Sequence, residues 1–150
     1  MAEFYARAHD PTARASIFKP TASAPLAQAE RLGQQIREEI ASFVATHHLT
    51  QARVLDVGSG PGSLQDVVAD YTGIDIASTV APQYHKHFVV GTATAMPFPD
   101  HSFDVVWSIW VLEHIPNPEA ALHEMRRVVK PGGYLYLEPA WNVAHWALAD

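Results

Sequence analysis

Apolar positions along the chain follow two alternating patterns. Short runs rich in branched and aromatic residues predict strands, and longer runs with apolar residues three and four positions apart predict helices. The predicted strands cover residues 52–57, 71–76, 87–91, 103–108 and 134–138. Several of these runs are apolar at nearly every position, which is typical of strands buried on both faces of a parallel sheet.

Helical patterns precede and separate the strands. One stripe of apolar residues runs from Leu26 to about His47, with polar residues off the stripe. A short helix is predicted from about Ser63 to Asp70, and about two turns within 78–86. The clearest helix begins at Asn117-Pro118-Glu119, where a capping amide, a proline and an acid coincide, and Pro131-Gly132-Gly133 predicts its end.

Strands that alternate with helices predict an α/β fold. We expect a Rossmann-like parallel sheet of strand order 3-2-1-4-5 with helices on both faces. Residues 1–25 carry three prolines and predict an irregular N-terminal arm, and residues 26–150 predict one domain. A further helix is expected to begin near Trp141.

Composition narrows the classes of partner. The chain has 150 residues, is 48% hydrophobic, and carries 16 acidic against 10 basic residues, for a net charge of −6. That charge disfavours nucleic acid. No apolar run approaches the length of a membrane span, so we expect no membrane partner. The chain has no cysteine, which fits a cytoplasmic protein without disulfides or a thiolate metal site.

Two groups of residues invite other interpretations. His85 and His87 flank the start of the third strand, but no third ligand is indicated, so we predict no metal site. Four tryptophans could line an aromatic pocket, although such residues more often pack in a core or an interface.

The segment Val54 to Gly62, VLDVGSGPG, contains the most informative pattern. A buried strand runs into glycines at 58, 60 and 62, which predicts a sharp turn that a ligand can approach closely. The second predicted strand ends near Asp75. A glycine turn followed by an acid at the end of the next strand predicts a nucleoside site at the carboxyl edge of the sheet.

The acid before the turn helps to choose between ligands. A dinucleotide places its pyrophosphate at such a turn, usually with the spacing G-x-G-x-x-G. Here the spacing is G-x-G-x-G, and Asp56 stands two residues before the first glycine. A carboxylate disfavours pyrophosphate and favours an ammonium group. A nicotinamide-dependent oxidoreductase therefore stays open only as the weaker alternative.

These segments resemble the class I S-adenosylmethionine-dependent methyltransferases, particularly those that act on small molecules. Four blocks are similar in order and spacing: VLDVGSGPG at 54–62, TGIDIA at 72–77, the segment 91–108, and the segment 112–139. The resemblance implies S-adenosylmethionine as the cofactor, S-adenosylhomocysteine as the product, and methyl transfer to an oxygen, nitrogen or carbon of a small-molecule acceptor.

The resemblance also implies roles for individual residues. Asp56 is expected to accept from the cofactor's amino group, and Asp75 from both ribose hydroxyls. Ile76 and Met96 are expected to enclose the adenine, and Ser108 to face the methionyl group. The full set of expected cofactor-binding residues is Asp56, Gly58, Ser59, Gly60, Gly62, Asp75, Ile76, Ala93, Thr94, Met96 and Ser108.

No catalytic residue is assigned by the sequence. Methyl transfer depends mainly on proximity, orientation and exclusion of water, and a base is needed only when the acceptor must lose a proton. His114, beside Glu113, is a candidate base, and a loop-orienting histidine is an equal alternative.

The chain departs from the family pattern at three points, one of which is that the predicted helices after strands one and two are short. Thr92 stands where many members have an acid for the adenine amine, and the two strands that usually follow the fifth are absent. We therefore expect the front part of a longer protein. The alternatives are a homo-oligomer joined through an exposed sheet edge, or a module that binds cofactor without turnover.

Overall fold

The structure is a computed structural model that describes residues 24–140, with side chains from residue 27 onward. Its centre is a five-stranded sheet of order β3-β2-β1-β4-β5 in which every neighbouring pair runs parallel. The strands are β1 (Arg53–Val57), β2 (Asp70–Asp75), β3 (His87–Val90), β4 (Phe103–Ile109) and β5 (Val129–Glu138). The predicted strand order is confirmed.

Two helices complete the layers. Helix α1 covers Ala24–Thr46 and α2 covers Pro118–Val128, with short 3₁₀ segments at Ser78–Gln83 and Leu112–His114. The predicted cap of α2 is confirmed, because Asn117 Oδ1 accepts from Ala120 N at 3.1 Å. Helix α1 begins two residues earlier than predicted. Pro25 therefore lies in its first turn, where proline is tolerated, and not in the irregular arm.

Some expectations fall beyond the described residues. The rest of the predicted arm, residues 1–23, and the predicted helix from Trp141 both lie outside the part of the chain that the structure describes.

The two helices pack on opposite faces of the sheet. On one face, Ile36, Ile40 and Val44 of α1 pack against Val54 and Trp107. On the other face, α2 packs against the alternate residues of the same strands. The members of that second core are Leu55, Val57, Ile74, Met96, Phe103, Val106, Leu112, Ala121, Met125 and Val128. Neighbouring strand residues point to opposite faces, so nearly every position of β1 and β4 is buried.

The helix predicted for residues 63–70 is wrong. The segment instead forms successive turns, in which Gln65 N donates to Gly62 O and Val67 N donates to Leu64 O. Apolar residues here have helical spacing, which misled the prediction. The whole connection between β1 and β2 spans residues 58–69, and the glycine turn uses the first of them. Too little chain remains for the usual crossover helix.

Strand β5 begins earlier than predicted, directly after α2. Its pairing with β4 shifts register between Phe103 opposite Val129 and Val105 opposite Tyr134. Gly132, with φ +77°, lies in this irregular start. The segment Pro131-Gly132-Gly133 therefore follows the helix end, as predicted, but forms a distorted strand entry and not a plain turn.

Strand β5 stands at one end of the described sheet. Three of its apolar residues, Tyr134, Leu135 and Leu137, are each more than a third exposed. Pairing between copies along this edge stays a prediction. Among the described residues, no helix combines the length and the hydropathy that a membrane span requires.

Candidate functional site at the glycine turn

The turn between β1 and β2 folds back over the end of β2. Gly58, Gly60 and Gly62 have φ values of +73°, +50° and +71°, which are costly for other residues. The backbone N–H groups of Gly58 and Ser59 both donate to the carbonyl of Ile74, at 2.9 and 3.2 Å. The predicted sharp turn is thus present, and it lies against the carboxyl end of the neighbouring strand.

Asp75 points into this turn. Its Oδ2 accepts from Gly60 N and its Oδ1 accepts from Ala77 N, both at 2.9 Å, and the residue is only 7% exposed. A carboxylate has about four lone-pair positions, so each oxygen retains capacity for another donor. The parallel sheet therefore brings Asp75 and the glycine turn together in the way the sequence predicts.

Asp56 is buried on the α1 side of the sheet. The Tyr71 hydroxyl donates to Asp56 Oδ2 at 2.7 Å. Burial raises the pKa of Asp56 to about 6, which outweighs the lowering by Tyr71 and by the nearby Trp107 indole, and repulsion from Asp75 raises it further. Trp107 Nε1 itself is buried and completes no hydrogen bond of normal geometry.

A crevice of about 110 Å³ opens beside Asp56. Its walls come from α1, the glycine turn, the segment after it, and the end of β4. The lining residues are Gly33, Ile36, Asp56, Gly58, Ser59, Ser63, Leu64, Ile109 and Trp110. Asp75 does not line this crevice, so the two carboxylates serve different parts of the site.

Trp110 at the edge of this crevice has an unusual backbone. Its φ is +56°, which is rare for a bulky residue, and its N–H donates to Glu138 O at 2.7 Å. Strain of this kind is concentrated at functional sites. His48 and His101, which do not line this crevice, have similar φ values, so the conformation alone does not mark a site.

At two of the three glycines, a side chain is excluded by neighbouring protein side chains. A Cβ on Gly58 would collide with the side chain of Val111, and one on Gly62 would lie 2.8 Å from the ring of Tyr84. The expectation that the turn is left bare for a ligand is therefore corrected at these two positions. Protein side chains already fill the space that the missing Cβ atoms leave.

The predicted adenine segment is only partly arranged as expected. Ile76 is half-buried just beyond β2, Ala93 packs at the edge of the core, and Thr94 is half-buried with its hydroxyl 2.9 Å from that of Thr92. Met96 is 5% exposed and belongs to the core beneath α2. Its side chain packs in the layer between the sheet and α2, and its contact with the adenine stays a prediction.

Ser108 is also turned inward. It is 1% exposed, and its hydroxyl donates to Val57 O at 3.1 Å. Ser108 thereby joins the ends of β1 and β4, because its position on β4 directs it to the buried α2 face. That this hydroxyl faces the methionyl group stays a prediction.

Arg127 of α2 binds the segment that precedes β4. Its guanidinium donates to the carbonyls of Met96 and Phe98 and forms ion pairs with Asp100 and Glu124. The same Glu124 accepts from Met96 N at 2.7 Å. Arg127 is therefore used for internal contacts, and it holds the predicted adenine segment in place.

Replacement of Arg127 by lysine is expected to lower the free energy of unfolding by about 1–2 kcal/mol and to weaken nucleoside binding several-fold. A lysine ammonium cannot match the planar fork that reaches two carbonyls and two carboxylates. Urea denaturation and calorimetric titration measure the two effects. Arg126→Lys is the matched control, since Arg126 is the exposed neighbour. Equal behaviour of the two variants would contradict this role.

The remaining ionisable candidates do not form a metal site. His85 Nε2 lies 2.7 Å from Asp66 Oδ1, and this contact lowers the pKa of Asp66. His114 Nε2 lies 3.9 Å from Glu113 Oε1 in the 3₁₀ segment that follows β4. Within residues 24–140, no group of three or more potential ligands is placed to hold a metal ion. A catalytic role for His114 stays a prediction.

Sequence reasoning missed Tyr71, Tyr84 and Val111. Tyr71 is the partner of Asp56, and the other two side chains contact the glycine turn. One signal was available, since a glycine inside a strand, here Gly73 of β2, often marks a close approach by another group. It could have indicated that a side chain lies over β2, but not which one.

Comparisons with known proteins agree on one family. A family model described as a methyltransferase domain matches residues 55–137. The chain is 39% identical over 102 residues to 2-methyl-6-phytyl-1,4-hydroquinone methyltransferase of Synechocystis sp., which covers 59% of this chain and 32% of that protein. It is 32% identical over 149 residues to fatty-acid O-methyltransferase of Mycolicibacterium smegmatis, which covers 87% of this chain and 54% of that protein.

A solved structure shows the same fold with another activity. The crystal structure of the cyclase SpnF is 29% identical, with a TM-score of 0.56, and the match covers 66% of this chain and 43% of that one. The chain thus spans between about a third and about half the length of the curated relatives named above.

Proposed function

The chain belongs to the class I S-adenosylmethionine-dependent methyltransferases, and on that basis we propose that it binds S-adenosylmethionine at the glycine turn and transfers a methyl group to a small molecule. The observation that carries the proposal is the placement of Asp75. Its carboxylate is held at the turn by two backbone N–H groups and retains acceptor capacity for the ribose hydroxyls.

Asp56 supports a cationic ligand. Its buried carboxylate lines the crevice beside the turn, and burial raises its pKa by disfavouring the charged form. An ammonium group at this place would favour the charged form of Asp56, whereas a pyrophosphate would be repelled. The Asp56 carboxylate therefore fits the amino group of S-adenosylmethionine and disfavours a nicotinamide dinucleotide.

The protein's contribution to methyl transfer would be positional. When bound, S-adenosylmethionine supplies a sulfonium-activated methyl group. Asp75 would bind the ribose and Asp56 the amino group. The methionine part of the ligand would lie against the backbone of Gly58, Ser59, Gly60 and Gly62. Because in-line displacement depends on orientation and a dry site, no protein nucleophile is required.

The acceptor is proposed from the relatives. One acts on a hydroquinone and another on a fatty acid, as their names state. We infer a small, largely apolar acceptor with an ionisable oxygen. His114 would serve as a base only if that oxygen must lose its proton. A cytoplasmic location and pairing of copies through β5 belong to the same proposal.

The structural similarity to the cyclase SpnF favours a second candidate function. SpnF is a cyclase by its name, so this fold also supports a reaction other than methyl transfer. A cofactor-binding module without turnover is therefore the alternative function.

Incubation of the chain with S-adenosylmethionine and either a substituted hydroquinone or a fatty acid is expected to release S-adenosylhomocysteine in an acceptor-dependent manner, as measured by mass spectrometry. Samples without acceptor and samples with heat-denatured protein are the controls. Tight cofactor binding with no acceptor-dependent release would support the alternative. Binding of NAD without binding of S-adenosylmethionine would overturn both functions.

A further inference from the structure

The glycine turn lacks the support that a following helix would give it. Residues 63–69 form only turns, so the backbone beyond Gly62 is not held by a helical hydrogen-bond ladder. A cofactor loop that is not held would lose conformational entropy when a ligand orders it. The structure shows a different kind of support, which comes from the connection between β2 and β3.

Tyr84, at the end of the first 3₁₀ segment, lies directly over the turn. Its hydroxyl oxygen is 2.8 Å from the carbonyl of Gly60 and 2.7 Å from Ser59 Oγ. The carbonyl can only accept, so the phenol donates to it, and the contact between the two hydroxyls is compatible with donation by Ser59. Gly60 is thus held on both sides, because Asp75 accepts from its N–H.

The ring of Tyr84 fits into space that two glycines leave. A Cβ on Gly73 would lie 2.7 Å from Tyr84 Cε1, and a Cβ on Gly62 would lie 2.8 Å from the same atom. The ring also packs against Phe88, with a centroid distance of 4.4 Å. The ring of Tyr84 therefore occupies space that a side chain at either glycine would need.

A second set of contacts fixes the same connection to the turns. Gln65 Oε1 accepts from the backbone N–H groups of His85 and Lys86, and Gln65 Nε2 donates to Gln83 O. Lys86 Nζ donates to Val68 O. Residues 83–86 therefore bind the connection between β1 and β2 at Gln65 and at Val68.

We propose that Tyr84 is a positioning residue for cofactor binding, which orients the Gly60 peptide and so fixes the turn and Asp75 before the ligand arrives. This inference rests on the proposed function, and it assigns to residues 83–86 the role that a crossover helix would have. Pre-organisation of this kind increases affinity by lowering the ordering cost on binding.

Tyr84→Phe removes the hydroxyl and retains the ring that fills the glycine gap. Calorimetric titration with S-adenosylhomocysteine, at a temperature where circular dichroism shows every variant to be fully folded, is expected to show affinity weakened about three- to tenfold. Tyr134→Phe on β5, whose ring packs against Phe43 and His47, is the matched control and is expected to bind like the unmodified chain.

Each outcome of this experiment decides something. A purely structural tyrosine would lower the melting temperature of the Phe variant but leave the affinity of its folded form unchanged, and that result would overturn the inference. Equal weakening in both tyrosine variants would also overturn it. Failure of the unmodified chain to bind S-adenosylhomocysteine would instead overturn the proposed function.

Discussion

Asp75→Ala is expected to weaken S-adenosylhomocysteine binding by at least about a hundredfold. The carboxylate would accept two ribose hydroxyls, and each hydrogen bond to a charged acceptor is worth about 1.5–3 kcal/mol. The variant also removes the group that ties Gly60 to β2, so the turn itself would be displaced. Calorimetric titration of the folded variant measures the loss.

The same substitution has a cost in stability. The backbone N–H groups of Gly60 and Ala77 would lose their acceptor in a buried place, which is expected to lower the free energy of unfolding by about 2–4 kcal/mol. Asp70→Ala, five residues earlier on the same strand, is the matched control because that side chain is exposed. Unchanged affinity in folded Asp75→Ala would show that the ribose lies elsewhere.

Asp56→Asn is expected to raise stability near pH 7.5 while it weakens cofactor binding. The folded-state pKa of Asp56 is about 6, above its ordinary value of 3.8. A native state that binds the proton more tightly than the unfolded state loses stability as pH rises between these two values, by up to about 3 kcal/mol. A neutral amide avoids this loss and can still accept from Tyr71.

Urea denaturation at pH 4.5 and pH 7.5 tests the sign of this effect. The asparagine variant is expected to be more stable than the unmodified chain by about 1–3 kcal/mol at pH 7.5, with a smaller difference at pH 4.5. Its affinity for S-adenosylhomocysteine should fall about tenfold or more, because the ammonium loses its charged partner. Asp70→Asn should show neither change. A variant that is less stable at pH 7.5, or that binds equally well, would contradict the role of Asp56.

The strands of the fold were largely predictable from the sequence. Buried parallel strands are apolar at almost every position, so β1 and β4 stand out as short runs between turn residues. Helix α2 was equally clear, because Asn117 and Pro118 give a start that depends only on local geometry. Local sequence signals of this kind are sufficient to predict a strand or helix where no distant contact favours another conformation.

The helix after the glycine turn could not be predicted in this way. Leu64, Val67 and Val68 have helical spacing, but their conformation is decided by distant partners. Ala69 N donates to Thr50 O, and Gln65 is held by residues 83–86. Such contacts depend on the three-dimensional path of the chain, so the periodicity of the segment alone gave the wrong answer.

The candidate site was predictable where topology alone places residues. Parallel neighbours end at the same edge, so Asp75 had to lie near the turn that follows β1. The direction in which individual side chains point was harder to predict from the sequence. Met96 and Ser108 lie at the expected places along the chain, but Met96 packs in the core beneath α2 and the Ser108 hydroxyl donates to Val57 O.

The most direct test of this account is the crystal structure of the chain in complex with S-adenosylhomocysteine. The account predicts both ribose hydroxyls within about 2.6–3.2 Å of the Asp75 carboxylate oxygens, with the amino group of the ligand toward Asp56. A ligand whose ribose lies away from Asp75, or a ligand bound outside the glycine turn, would contradict it.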